Sequence, residues 1–279
     1  MNKSIWRGKH GPLLIAEIGG NHEGDFEYAK ELTKLAIAAD VDFIKFQLYT
    51  GDSLVNPLES ALRNKHFKKF ELSKENHLEL AELCKKNHVG YAASVWHEDF
   101  FPWTDYYLDF YKIGSGDLTA YPLLKKIAEI GKPILLSTGL ATEIEIIESV
   151  KFIQKINPNY IKAGRLALLQ CTSMYPITHS DAHLNVMDRL REITRLSHVG
   201  YSDHTIGIDA LKYAYAMNAD ILEFHFTDDR NNRSFRDHTV SLTKADVGNL
   251  IAEIKIINAL KGNQIKTQLK IELENNHVT

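Results

Sequence analysis

Residues 221–230 read "ILEFHFTDDR". The run over 221–226 is short, apolar and partly aromatic, and it reads as a buried β-strand. Side chains alternate along a strand, so Ile221, Glu223 and His225 share one face and Leu222, Phe224 and Phe226 the other. A carboxylate and an imidazole on one side of such a strand have two explanations. They are a hydrogen-bonded core pair, or they belong to a metal or catalytic site at the strand end.

Seven further runs resemble this one: 13–17 (LLIAE), 43–48 (FIKFQL), 90–94, 110–114 (FYKIG), 133–138 (PILLST), 167–171 and 198–202. Helical periodicity falls near 25–39, 74–87, 119–130, 142–156, 182–195, 206–217 and 243–260. Thr142 with Glu145 forms a capping box, Ser73 with Asn76 a variant of it, and Gly131 before Lys132-Pro133 ends a helix. Eight strands, each followed by a helix, predict an α/β chain folded as a (β/α)₈ TIM barrel, whose usual size of roughly 250 residues fits this length. An open doubly wound sheet is the alternative, but no glycine-rich dinucleotide fingerprint follows the first strand. Residues 49–72 read as one unusually long loop. The expected layout is a barrel domain over 1–262 and a polar tail over 263–279.

Alternation gives each strand an inward face. Phe43, Lys45 and Gln47 point inward from the second strand, and Leu13, Ile15 and Glu17 share a face in the first. Lys112 lies opposite Tyr111 and Ile113; Gly200, Ser202 and His204 share a face, as do Leu169, Cys171, Ser173 and Tyr175. With Ser115, these polar groups gather at the C-terminal ends of the strands, the active face of such barrels. So many buried polar groups are hard to explain as core satisfaction, since unpaired buried charge is costly.

His204 and His225 end consecutive strands, which lie about 4.8 Å apart, so the two imidazoles could share a divalent ion such as Mn²⁺ or Mg²⁺. Lys45 and Lys112, with Ser94, Ser115 and Ser202, suit a phosphate and a carboxylate. The bland alternative pairs a lysine with Glu17 or Glu223; another makes Lys112 a Schiff-base amine. Glu17 could bind a substrate hydroxyl or act as acid or base. From composition alone Asp237, within "DDRNNRSFRDH" (228–238), belongs to a solvated loop.

The bulk properties exclude other classes. Among 279 residues, 44 % are hydrophobic and 25 % charged, and the net charge of −3 is too small to suggest nucleic acid as a partner. The first apolar run reaches Glu17 too soon for a membrane span or a signal peptide. With only Cys84 and Cys171, a reduced cytoplasmic protein is expected.

The motifs "AEIGGNHEGD", "FIKFQ", "YKIGSGDLTAYPLL", "GKPILLSTGLAT", "QCTSMYP", "GYSDHTIG", and "EFHFTDDR" followed by "RDHTVSL" occur in order over residues 13–245. In this the chain resembles the sialic acid synthase (NeuB-like) family. The resemblance implies metal-dependent condensation of phosphoenolpyruvate with an aldose, N-acetylmannosamine or a related sugar, giving a 2-keto-3-deoxy sugar acid and phosphate. It implies a Mn²⁺ or Mg²⁺ ion on His204 and His225, and phosphoenolpyruvate near Lys45, Ser94, Lys112, Ser115, Ser173 and Ser202. It implies the sugar near Glu17, Tyr175 and Asp237. An aldolase-type or sugar-acid-binding barrel is the alternative. The chain departs from the family pattern at "ASVW" (93–96), where "STPF" is usual, and at "FRD" (235–237), where "GPD" is usual. Many members also carry a C-terminal antifreeze-like domain that closes the partner's site in a dimer. None is expected here, so a homodimer through barrel helices, a separate lid protein, or closure by 49–72 are the options.

Overall fold

The computed structural model describes residues 4–162, 164–231 and 233–274. Eight parallel strands close into a barrel in chain order: β1 (Leu13–Glu17), β2 (Phe43–Leu48), β3 (Gly90–Val95), β4 (Tyr111–Ile113), β5 (Ile134–Ser137), β6 (Leu166–Gln170), β7 (His198–Asp203) and β8 (Ile221–His225). β8 pairs back onto β1, which completes the expected (β/α)₈ barrel. The main surrounding helices are Phe26–Ala38, Lys74–Lys86, Tyr121–Ile130, Glu143–Ile156, Val186–Thr194, Asp209–Ala216 and Lys244–Lys261. Capping boxes join Ser73 to Asn76 and Thr142 to Glu145, and Gly131 closes its helix in the left-handed conformation at φ +82°.

The pattern of one helix per strand fails between β3 and β4. That connection holds only a 3₁₀ turn at Glu98–Phe100 and the single-turn helix Phe101–Thr104. Aromatic side chains cover the sheet there instead. Phe101 meets Tyr111 edge-on at 5.5 Å, and Trp103 meets Phe100 at 6.0 Å.

The inferred alternation holds. Leu14, Ile44, Phe46, Leu222 and Phe224 pack outward with helix residues such as Leu32, Leu80 and Leu250. Leu13, Ile15, Phe43, Leu135, Leu169 and Ile221 form a second core inside the barrel. Trp6, which precedes β1, closes that core from below. It is 0 % exposed, lies 5.6 Å from the Phe110 ring, and donates its indole N–H to the Gly164 carbonyl at 2.6 Å.

Residues 49–72 are not an unstructured loop. They contain the helices Gly51–Leu54 and Ala61–Phe70. The buried Asn64 ties them together, its amide donating to the Gly51 and Val55 carbonyls at 3.1 and 2.8 Å. Phe70 packs on Phe235 from the segment after β8, at 4.9 Å between ring centroids. Gly24, at φ +84°, lets the β1 loop approach this helix, since a Cβ there would lie 1.9 Å from the Lys69 carbonyl oxygen. The second and longer of these helices therefore lies over the C-terminal mouth of the barrel.

Beyond Gly262, the short helix Lys270–Glu274 buries no side chain, and residues 275–279 of the expected tail lie outside the described residues. Among the described residues no helix is long and apolar enough to cross a membrane.

Replacing Trp6 by alanine should empty the base of the barrel interior. The expected loss is about 3–5 kcal/mol, read as a lower urea midpoint at unchanged denaturant slope. An unchanged midpoint would show that the lower core stands without its plug.

Candidate active site

Strand register brings the inward polar residues together. Glu17 sits opposite Lys45 on one side and His225 on the other. Ser94 is opposite both Gln47 and Lys112, and Ser202 is opposite Glu223. All of them line one cavity of about 600 Å³ at the C-terminal mouth, together with Ser115, Ser173, Tyr175 and His204. Asp237 lies in an adjoining cavity of about 760 Å³ that shares Gln47, Tyr175 and His225 with the first.

The centre of the site is a buried charge network. Glu17 and Lys45 form an ion pair. Glu223 faces both lysines, with Lys45 Nζ at 3.7 Å from Oε2 and Lys112 Nζ at 3.5 Å from Oε1. Ser202 donates to Glu223 Oε1 at 2.9 Å, and Lys112 donates to Ser137 Oγ at 2.7 Å. Glu223 therefore pairs with both lysines. Despite burial, the flanking ammonium groups of Lys112 and Lys45 hold its carboxyl down at about 2. Burial draws Lys45 down to about 7, against the opposing pull of Glu223.

Above this layer stand the imidazoles. The His204 and His225 rings are 5.5 Å apart, and Tyr175 lies 4.0 Å from His204 and 5.5 Å from His225. His204 Nδ1 is 2.7 Å from the Thr172 carbonyl, which can only accept, so that nitrogen carries the proton and Nε2 keeps its lone pair. Asp203, next to it, turns outward and accepts from the Thr205 N–H at 2.9 Å and from the Tyr201 hydroxyl at 3.1 Å, which fixes the end of β7. His225 Nδ1 is buried with no hydrogen-bond partner. Burial lowers His204 to about 4 and His225 to about 3, so both are neutral near pH 7, the form that ligates metal. The orphaned nitrogen and the paired neutral rings fit a divalent ion. Among the described residues no third His, Cys, Asp or Glu completes a cluster with them. An ion here would take its remaining ligands from water or substrate.

Asp237 is a correction to the reading of its loop as solvated. It is buried in the turn Arg236–Val240, with Oδ2 at 3.9 Å from His225 Nδ1. The loop folds back because Leu242 bridges to Phe226, and Asn21 donates both to the Phe226 carbonyl at 2.9 Å and to Ser241 Oγ at 2.8 Å. The two Asn21 contacts span more than two hundred residues, invisible to local composition.

On the other side, Ser115, Cys171 and Ser173 crowd around Gly139. Ser115 Oγ lies 3.1 Å from Cys171 Sγ and accepts the Gly139 N–H at 3.0 Å. A Cβ on Gly139 would fall 2.3 Å from Ser173 Oγ and 2.8 Å from Ser115 Oγ, so only glycine leaves both hydroxyls in place.

Residues 32–266 match the model of the NeuB family. The chain belongs to the NeuB family. It is 34 % identical over 276 residues to the N,N'-diacetyllegionaminic acid synthase of Campylobacter jejuni, covering 94 % of this chain and 81 % of that protein. It is 29 % identical to the N-acetylneuraminate-9-phosphate synthase of Mus musculus, over 95 % of this chain and 76 % of that one. Among solved structures, the N-acetylneuraminic acid synthetase of Leptospira borgpetersenii superposes with a TM-score of 0.85 at 29 % identity, covering 94 % of this chain and 89 % of the other. This NeuB-family chain is accordingly an enzyme, a sialic-acid-synthase-like transferase.

Several members of the site were not singled out in the sequence. Ser137 lies two residues beyond the inward Leu135, so extending the alternation along β5 would have found it. Arg63 and Arg236 line the cavity from segments outside the strands, where no periodicity points to them.

Four buried histidines make stability depend on pH. Burial lowers His22 and His204 to about 4, and His77 and His225 to about 3, from 6.5. Below 6.5 the unfolded chain takes up protons that the folded chain refuses, so stability is full above that pH and falls on acidification toward 4. The urea midpoint in chelator should be lower at about pH 5 than at about pH 7.5, and His77→Gln should make the change shallower. A flat profile would contradict this account.

Proposed function

We propose that the chain condenses phosphoenolpyruvate with an aldose of the N-acetylmannosamine type, releasing phosphate and a 2-keto-3-deoxy sugar acid. The observation that carries this reading is one cavity holding two lysines and several serines on one side and a neutral histidine pair on the other. The first group suits a ligand with a carboxylate and a phosphate; the second suits a metal.

In this reading Lys45 and Lys112 hold the carboxylate and phosphate oxygens, fixed in advance by Glu17, Glu223 and Ser137. Ser94, Ser115, Ser173 and Ser202 add hydroxyl donors, and Gln47 an amide. A Mn²⁺ or Mg²⁺ ion held by His204 and His225 supplies Lewis-acid polarisation of the acceptor aldehyde when bound. Carbon 3 of phosphoenolpyruvate bonds to the aldehyde carbon, whose oxygen takes a proton and becomes a hydroxyl. Water adds at carbon 2, and the C–O bond to phosphate then breaks to leave the ketone. Glu17 orients that water or an acceptor hydroxyl, Tyr175 packs on the acceptor, and Asp237 accepts from an acceptor hydroxyl. As a Schiff-base amine, Lys112 would have to give up its contacts to Ser137 and Glu223.

The test is phosphate release from phosphoenolpyruvate with Mn²⁺ across a panel of aldoses. Release is expected with a subset of sugars, lost in His225→Ala and Lys112→Met, with no adduct trapped by borohydride. Release that persists in His225→Ala would remove the histidine pair from the reaction. Borohydride trapping with a keto acid would favour the aldolase chemistry.

A further inference from the structure

Of the stretch "AEIGGNHEGD" (16–25), the proposed chemistry uses only Glu17. Glu23 in the same stretch lies at φ +51°, in the left-handed region that favours glycine, although it carries a full side chain. Such strain persists where surrounding contacts fix it, and here the carboxylate makes them. Oε1 accepts the Ser234 and Phe235 N–H groups, each at 3.3 Å, and Oε2 accepts the Ser234 hydroxyl at 3.0 Å. The buried His238 ring has Nε2 at 3.5 Å from Glu23 Oε1 and Nδ1 at 2.7 Å from the Thr227 hydroxyl. Phe235 packs over Gly20, where a Cβ would fall 2.7 Å from its ring. Among the described residues that line the two cavities Glu23 is not one, so whatever it does there it does through others.

Asp237 sits between these contacts, with Phe235 on one side and His238 on the other. It lies well beyond the end of β8, so the strand cannot place it. We infer that Glu23 is a positioning residue, whose carboxylate clamps the segment 234–238 from the β1 side and so holds Asp237 toward His225 and the acceptor. The inference rests on the proposed condensation for what Asp237 does, and on these contacts alone for where it is held. Asn21 is the companion anchor. Its amide donates to Ser241 Oγ, which donates to the Asp237 carbonyl at 2.7 Å, and this fixes the far side of the turn. Glu23 fixes the near side. Between the two anchors the Asp237 carboxyl is left facing His225 Nδ1 at 3.9 Å. Without the Glu23 carboxylate, two backbone N–H groups and one hydroxyl lose their acceptor, and the near side of the turn is released toward water.

Glycine suits the backbone at position 23 and carries no carboxylate, so Glu23→Gly separates positioning from stability. Its urea midpoint should be unchanged or raised. Its kcat/KM for the acceptor should fall about tenfold or more, while the KM for phosphoenolpyruvate stays within about twofold. Glu23→Gln, which keeps an acceptor oxygen, should recover much of that loss. Trypsin should cut the native Glu23→Gly protein after Arg233 and Arg236 several-fold faster than the wild type. An unchanged acceptor kcat/KM in Glu23→Gly would overturn the inference. So would a fall that tracks a lowered urea midpoint or raises the phosphoenolpyruvate KM equally. If the wild type releases no phosphate with any aldose, the condensation itself fails, and trypsin decides the inference alone. Faster cleavage at an undiminished urea midpoint upholds the clamp; equal cleavage of the two proteins overturns it.

Discussion

Glu223 lies buried between two ammonium groups, and the rest of the site is arranged around that contact. Each charge taken out of water costs several kcal/mol even after relaxation, and only close partners offset it. Here Glu223 faces Lys45 and Lys112, Glu17 holds Lys45, and the hydroxyls of Ser202 and Ser137 fill further hydrogen-bonding positions. The barrel interior is consequently layered. An apolar core plugged by Trp6 lies below, the charged layer lies in the middle, and neutral imidazoles with Tyr175 stand above. The lower core supplies the burial that lets the middle layer be polar. A barrel polar from end to end would have no hydrophobic surplus with which to hold these buried ionisable groups in register.

How far the sequence reveals this depends on whether a feature is periodic. Alternation along a strand is a local property. It put Glu17, Lys45, Gln47, Lys112, Ser202, Glu223 and His225 on inward faces, where the barrel has them. The same rule applied to β5 would have added Ser137. The capping boxes at Ser73 and Thr142 are equally local. What local rules miss is carried by distant contacts. Trp6 lies outside any element, and contacts distant in sequence, such as the Gly164 carbonyl and the Phe110 ring, make it part of the core. The helix Ala61–Phe70 has few apolar residues, and Asn64 and Phe70 anchor it across the mouth. Asp237 reads as solvated until Asn21 draws its loop down.

The two histidines illustrate a different limit. Their placement on adjacent strands was legible from alternation, but their protonation was not. His204 is fixed as a donor to the Thr172 carbonyl, and that carbonyl belongs to the segment after β6. His225 owes its neutrality to burial and to the positive charge of Lys45. The lysine layer beneath therefore acts on the imidazole layer above by keeping protons off it, which is the state a metal ion requires. In the proposed reading the charge network thus prepares the histidine pair as well as an anion site.

The charge balance of the central layer bears on what must enter it. Two lysines face two carboxylates, and the histidines above are neutral, so the layer by itself offers little net attraction to an anion. A ligand bearing a carboxylate and a phosphate would bring a large excess of negative charge. Its approach would favour the ammonium form of Lys45, now drawn down to about 7, and so tighten the lysine's hold. The remaining excess has to be met from outside the network, by a divalent ion on the histidines or by Arg63 and Arg236 at the mouth. On this balance, the lysines in the proposed reading orient a bound anion more than they attract it. In the proposed reading long-range attraction falls to cations at the mouth such as Arg63, which among the described residues has no carboxylate within ion-pair distance.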